Sequence, residues 1–193
     1  MFPPENCFRV KHYRNRSGNK SLPGTAGWIT IQPPMEKKVK NKLFEIFLPA
    51  RIDNINRGSR IPVYIFTIYA IVSTIRSLIH IFSADGGAGS IAGMDLSVKG
   101  ADGIIFAFAL WGSSQLLLAI IQLLVVFRYK SLVPFMYFLL MIEVLLREMI
   151  GKMKPVLFSH TPPGAIGNQI ILPLAAFMLI FSLWSALKKQ KEA

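Results

Sequence analysis

Residues 103–127 read GIIFAFALWGSSQLLLAIIQLLVVF and contain no charged side chain. A helix over this stretch is long enough to cross a bilayer core of about 30 Å at 1.5 Å per residue. Similar apolar stretches flank it, and the four predicted spans are 62–82, 103–127, 132–153 and 167–187. They are too long for strands and lack the alternation of a membrane barrel. The sequence therefore predicts an all-α polytopic membrane protein, a four-transmembrane-helix up-down bundle with short connections.

The composition supports a membrane class. The chain has 193 residues, a net charge of +12 and 17% charged residues, against about 25% in soluble domains. Most charges lie outside the apolar stretches, which excludes a soluble enzyme domain, a disordered chain and a nucleic-acid-binding module. Basic residues that flank apolar spans instead indicate membrane lipids as partners. The single cysteine, Cys7, excludes an intramolecular disulfide and a CxxC motif.

The distribution of Lys and Arg predicts the orientation. Residues 1–61, the 128–131 turn and the C-terminal tail 188–193 would share one side of the membrane and hold 17 of the 22 basic residues. The opposite side holds three. Under the positive-inside rule both termini are cytoplasmic, and we expect a bacterial cytoplasmic membrane location.

The N-terminal region permits more than one interpretation. Residues 1–34 are either a basic disordered tail or the product of a mis-assigned start codon, with Met35 as the initiator. Residues 35–61 are predicted to be a cytoplasmic polybasic segment. Within it, residues 39–52 place Val39, Leu43, Ile46 and Phe47 on one helical stripe. This helix either lies on an anionic inner leaflet or packs on the bundle.

Polar residues within the predicted spans are candidates for function, because ionisable groups inside a membrane are costly. Arg76 and His80 lie one helical turn apart, as do Glu143 and Arg147. Counting 1.5 Å per residue places most of these polar groups in the outer half of the membrane. The candidate intramembrane cluster is Arg76, His80, Asp102, Gln115, Glu143, Arg147, Glu148, Asn168 and Gln169.

The charges in this cluster predict an ion pair between helices. Unpaired charges at these depths would cost several kcal/mol each, so we expect Arg76 to pair with Glu143 or Glu148. One interpretation is structural, with ion pairs and hydrogen bonds that tie the helices together. The other is an outward-opening polar pocket for a ligand, a lipid headgroup or an ion.

No motif predicts a metal, a cofactor or a catalytic residue. His80 and His160 lack HxxxH or HExxH spacing. The Gly-rich stretch from Asp85 to Gly93 lacks the GxxxxGK[ST] pattern and is predicted to be a flexible connector.

One short motif carries a resemblance. Glu143-Val-Leu-Leu-Arg147, then Gly151-Lys-Met-Lys-Pro155 and the pair Pro163-Gly164, resemble small uncharacterised four-helix bacterial membrane proteins. The resemblance implies the fold and a membrane location, and no chemistry.

Three functions follow from these observations. The first is a non-enzymatic accessory or scaffold protein with a charged cluster in its outer half. The second is a small transporter or ligand-binding membrane protein that uses Arg76, Glu143 and Arg147, for which a homo-oligomer or larger membrane complex is expected. The third is a lipid- or quinone-linked membrane enzyme, for which no nucleophile–base constellation is present.

Overall fold

The computed structural model describes residues 42–192, and this part of the chain contains helices and no strand. The helices are α1 (Lys42–Phe47), α2 (Ile61–Phe82), α3 (Ala101–Arg128), α4 (Val133–Met153) and α5 (Pro163–Glu192), with a 3-10 turn at Lys130–Leu132. The predicted tail 1–34 and the start at Met35 lie outside the described residues. So do the first residues of the predicted helix 39–52.

Three helices, α2, α3 and α5, are long and apolar enough to cross a membrane. Helix α4 has a comparable length, but Glu143, Arg147 and Glu148 lie close together in it. The all-helical prediction is therefore confirmed for the described residues, together with three of the predicted apolar helices.

Prolines and basic residues explain the helix ends. Pro62 and Pro134 lie in the first turns of α2 and α4, where a missing N–H costs nothing. Helix α5 is longer than the predicted span 167–187, since it begins at Pro163 and continues to Glu192. Its last turn carries Lys189 and Lys191, which interact favourably with the negative end of the helix dipole. The predicted tail 188–193 is thus mostly helical.

The helices pack as two closely associated pairs, α2 with α3 and α4 with α5. The hydrophobic core joins the first turns of α2 and α4. Phe66 and Tyr137 are almost fully buried, and their ring centroids lie 5.2 Å apart. The hydroxyl of Tyr137 donates a hydrogen bond of 2.7 Å to the carbonyl oxygen of Pro62. These contacts place the starts of α2 and α4 at the same end of the bundle.

Helix α1 ends before the C-terminal end of the predicted helix 39–52, and it packs on the bundle. It ends at Phe47, and the residue before Pro49 is unfavourable for a helix. Ile46 is buried, and the ring of Phe47 lies 5.8 Å from that of Phe135 and 5.4 Å from that of Phe138.

Candidate functional site

The site is built on one buried stripe of α2. Phe66, Ala70, Ser73, Ser77 and His80 recur every three or four residues and are all buried. Helix α3 approaches this stripe closely at Gly112. A Cβ atom on Gly112 would lie 2.6 Å from the Cβ of His80, so only glycine fits there. The close crossing places the side chains that follow Gly112 beside the second half of α2.

Gln115 connects the charged side chains of α2 and α4. Its Oε1 accepts hydrogen bonds from Nη2 of Arg76 at 3.0 Å and from Nη2 of Arg147 at 3.4 Å. Its Nε2 donates to Oε1 of Glu143 at 2.9 Å. A neutral amide thereby satisfies two cations and an anion at once, because it carries both a donor and an acceptor.

The ion pair of this site lies within α4. Glu143 pairs with Arg147, one turn later on the same helix, and both side chains are about 20% exposed. Nη1 of Arg147 also donates to Oδ1 of Asn168 at 3.3 Å, which adds α5. We call Arg76, Gln115, Glu143, Arg147 and Asn168 the Gln115 network.

The predicted direct pairing of Arg76 with Glu143 or Glu148 is wrong. Among residues 42–192, Arg76 forms no ion pair, and it reaches Glu143 only through Gln115. The physical reason is local. The i, i+4 spacing on α4 gives Glu143 an ion-pair partner on its own helix, so no second helix is needed. The connected network therefore carries two guanidinium groups and one carboxylate.

The other predicted cluster residues lie outside the network. Asp102 and Gln169 are exposed, and Glu148 is half-buried, with no hydrogen bond or ion pair from its side chain to any residue in 42–192. His80 is buried and occupied elsewhere, since its Nδ1 lies 2.7 Å from the carbonyl oxygen of Gly86. A carbonyl only accepts, so Nδ1 carries the proton of this hydrogen bond.

Aromatic side chains surround Arg76. Its Cζ lies 5.6 Å from the ring centroid of Trp111, a cation–π distance. The ring of His80 lies 4.9 Å from that of Trp111 and 5.7 Å from that of Phe108. Trp111 is a site residue that the sequence analysis missed. The available signal is its spacing, because Trp111 lies one turn before Gln115 on α3.

A cavity of about 620 Å³ opens beside Arg76. It lies between α2, α3, the start of α5, the α2–α3 connection and the α4–α5 connection. Its polar side chains are those of Arg76, His80 and Asn168. Its apolar and aromatic lining includes Val72, Ile75, Ile79, Ile91, Phe108, Trp111, Phe158 and Ile171. Gln115 and Glu143 do not line it and are linked to it through Arg76.

Arg76 has an unsatisfied donor beside this cavity. Its Nε is buried and has no hydrogen-bond partner among the described residues. A buried N–H without an acceptor costs about 1–3 kcal/mol.

The α2–α3 and α4–α5 connections form one wall of the cavity. The stretch predicted to be a flexible connector is instead held by Asp85, which accepts hydrogen bonds from the backbone N–H groups of Ser90 at 2.6 Å and Gly87 at 2.8 Å. These bonds hold the pKa of Asp85 well below its usual value. The backbone N–H of Ser159 in the α4–α5 connection donates to the carbonyl of Gly93 at 2.8 Å.

The titratable residues do not form a metal site. Within residues 42–192, no three His, Cys, Asp or Glu side chains come together in an arrangement that could hold a metal ion. Sequence and structure comparisons add no relative, because the chain matches no family model, no curated protein and no solved structure. The residues themselves are the basis for assigning a function.

Proposed function

We propose that this chain is a four-span membrane protein whose cavity binds an amphiphilic ligand with an anionic or hydrogen-bond-accepting head. In this proposal α2, α3, α4 and α5 cross the bacterial cytoplasmic membrane in up-down order. The proposal agrees with the four-helix bacterial membrane proteins that the sequence resembles.

The packing of α4 supports its role as the fourth span. Its 21 residues give a helix of about 30 Å, the thickness of a bilayer core. Its two paired charges point into the bundle, while large apolar side chains such as Leu145, Leu146 and Ile150 are about half exposed. A soluble helix has the opposite arrangement, with its apolar side inward and its charges outward.

The exposed surface of the other helices supports the same environment. Ile68, Val72 and Ile75 on α2 are each more than half exposed, whereas Ser73 and Ser77 are buried. A surface so rich in exposed apolar side chains is unfavourable in water and favourable in lipid. The distribution of 17 of the 22 Lys and Arg residues favours cytoplasmic termini.

The observation that carries the ligand-binding proposal is the position of Arg76. It lines an otherwise largely apolar cavity, has a buried unsatisfied Nε and belongs to a network with one excess positive charge. A negative group in the cavity beside the Arg76 guanidinium would balance this charge. The cavity volume lies within the range of about 300–1,000 Å³ typical of small-molecule sites. Its apolar lining favours a hydrocarbon or ring system attached to the head group.

Trp111 offers a direct test, because it lines the cavity. In a Trp28→Phe/Trp184→Phe background, Trp111 is the remaining tryptophan. The probes are 11-bromoundecanoate and 11-bromoundecanol, which share a quenching tail and differ in charge. We expect saturable quenching, with the carboxylate probe binding about tenfold more tightly, since hydrogen bonds to charged groups contribute about 1.5–3 kcal/mol.

Two variants complete the experiment. Arg76→Gln should remove the preference for the carboxylate probe and leave alcohol binding unchanged. The control Arg128→Gln removes the same charge at the end of α3, outside the cavity, and should keep the preference. Non-saturable quenching, or equal affinity for both probes in the parent protein, would contradict the proposed function.

A second candidate is the structural role, an accessory or scaffold protein. The observation in its favour is that Gln115 forms hydrogen bonds with Arg76, Arg147 and Glu143, so protein groups alone connect the three charged side chains. Replacing Glu143 with Gln separates the two functions. A variant that unfolds favours a purely structural network, whereas a stable variant with altered probe binding favours the ligand site.

A further inference from the structure

A second concave site lies around the first turn of α2, at the opposite end of that helix from Arg76. It has a volume of about 510 Å³ and receives a cationic side chain from three separate elements. Arg60 precedes α2, Lys130 lies in the 3-10 turn and Lys189 lies in the last turn of α5. No acidic residue lines it. We call this site the basic pocket.

The three cations of the basic pocket have no protein partner in the described part of the chain. Across residues 42–192, no hydrogen bond or ion pair involves the side chain of Arg60, Lys130 or Lys189. The acids nearest in sequence are already paired. Asp53 binds Arg57 at 2.8 Å, and Glu192 pairs with Lys188 at 3.9 Å.

Like charges converge here without compensation, and such an arrangement is stabilised by an anion. The amide of Asn54 adds a neutral hydrogen-bond donor to the same lining. We propose that the basic pocket binds a phosphate group, and that the phosphate belongs to the headgroup of an anionic phospholipid.

The apolar side of the pocket favours a lipid over a soluble phosphate. Val63 and Tyr64 form part of its lining, and Tyr64 is 59% exposed. From there, exposed apolar side chains continue along α2 at Ile68 and Ile71. A phospholipid could place its phosphate among the cations and lay an acyl chain on this strip. The pocket would also lie at the proposed cytoplasmic surface, where anionic lipids attract basic side chains. The inference thus rests on the proposed membrane orientation and not on the cavity beside Arg76.

The test compares three proteins in nanodiscs of phosphatidylcholine containing a minor fraction of phosphatidylglycerol. Native mass spectrometry counts the phosphatidylglycerol retained on each. The pocket variant is Arg60→Gln/Lys130→Gln/Lys189→Gln. The control variant, Lys99→Gln/Lys152→Gln/Lys154→Gln, removes the same charge outside the pocket.

The full-length parent protein should retain phosphatidylglycerol in preference to phosphatidylcholine. At about fivefold per basic residue, the pocket variant should lose the preference by on the order of 100-fold. The control variant should keep it. Equal losses in both variants would show general surface attraction, and no loss in the pocket variant would show that the pocket is not a lipid site. Either result overturns the proposal.

Inorganic phosphate is the second probe and distinguishes the source of the ligand. Saturable phosphate binding in pure phosphatidylcholine discs, without lipid preference, would assign the pocket to a soluble phosphate compound and overturn the lipid assignment. Quenching of Trp111 in the pocket variant reports the other cavity. If the parent protein shows no lipid preference while the quenching of Trp111 persists, the lipid assignment of the basic pocket is wrong and the proposed function stands.

Discussion

Gln115 and Gln122 provide a matched pair of substitutions with opposite expected effects. Both lie on α3, two turns apart, and both are removed from solvent to a large extent. Gln115 joins Arg76, Arg147 and Glu143 through three hydrogen bonds. Gln122 is only 2% exposed, and its Oε1 has no hydrogen-bond partner within residues 42–192.

Replacing Gln115 with Leu should destabilise the bundle by about 2–4 kcal/mol. Hydrogen bonds between membrane helices contribute about 0.6 kcal/mol on average and up to about 1.7. Three such bonds are lost together, and two guanidinium groups and a carboxylate each lose a partner, so the upper half of that range is accessible. Replacing Gln122 with Leu removes an unsatisfied buried oxygen. That variant should lie within about 0.5 kcal/mol of the parent protein or be more stable.

The free energy of unfolding can be measured for both variants by titrating SDS into mixed micelles and following helix content. Because the substitution and the helix are the same, changes in helix propensity and hydrophobicity cancel in the comparison. The reasoning is refuted if Gln115→Leu costs no more than Gln122→Leu. It is also refuted if Gln122→Leu by itself destabilises the protein by clearly more than about 0.5 kcal/mol, since Gln122 would then form a hydrogen bond of its own.

Three further outcomes follow from the structure. Gly112→Ala should cost about 1–3 kcal/mol, because its Cβ would overlap His80, whereas Gly103→Ala meets no atom within 4 Å and should be neutral in the same titration. Hydrogen bonds lower the pKa of Asp85, so its carboxylate should hold its loop fully above about pH 4 and release it as the pH falls further. Release of the loop should appear as faster hydrogen exchange of its backbone amides. Asp85→Asn, which removes the carboxylate, should show this faster exchange already at pH 7. Tyr137→Phe should lose about 1 kcal/mol in thermal unfolding with its buried hydrogen bond, and no change there would contradict that role.

The helices of the fold could be predicted from the sequence because each rests on local information. The apolar stretches of α2, α3 and α5 are continuous in the sequence, and Pro62 marks the start of α2. Helix ends set by charge were less evident. The lysines after residue 187 suggested a tail, although lysines near a C-terminus stabilise a helix.

The sequence predicted part of the membership of the candidate site and none of its contacts. Counting residues gives the depth of Arg76, Glu143 and Arg147, but not the rotation of each helix about its axis. Partner choice depends on that rotation. The sequence therefore predicted that Arg76 and Glu143 lie in the same half of the membrane, without showing that the amide of Gln115 lies between them. The cavity was harder to predict, because the folded α2–α3 and α4–α5 connections form one of its walls and come together only in the tertiary structure.

The intervening amide also explains how structure and binding can share one cluster. A direct Arg76–Glu143 ion pair would neutralise the guanidinium and leave no electrostatic reason for an anion to enter. Since Glu143 pairs with Arg147 instead, Arg76 keeps its charge and an unsatisfied Nε, while Gln115 and Trp111 fix its position. Because these neutral side chains already hold the guanidinium of Arg76 in place, ligand binding would cost little further side-chain ordering. Under the proposed function, the amide that ties α2 to α4 is therefore also what leaves the Arg76 guanidinium available to an anionic ligand.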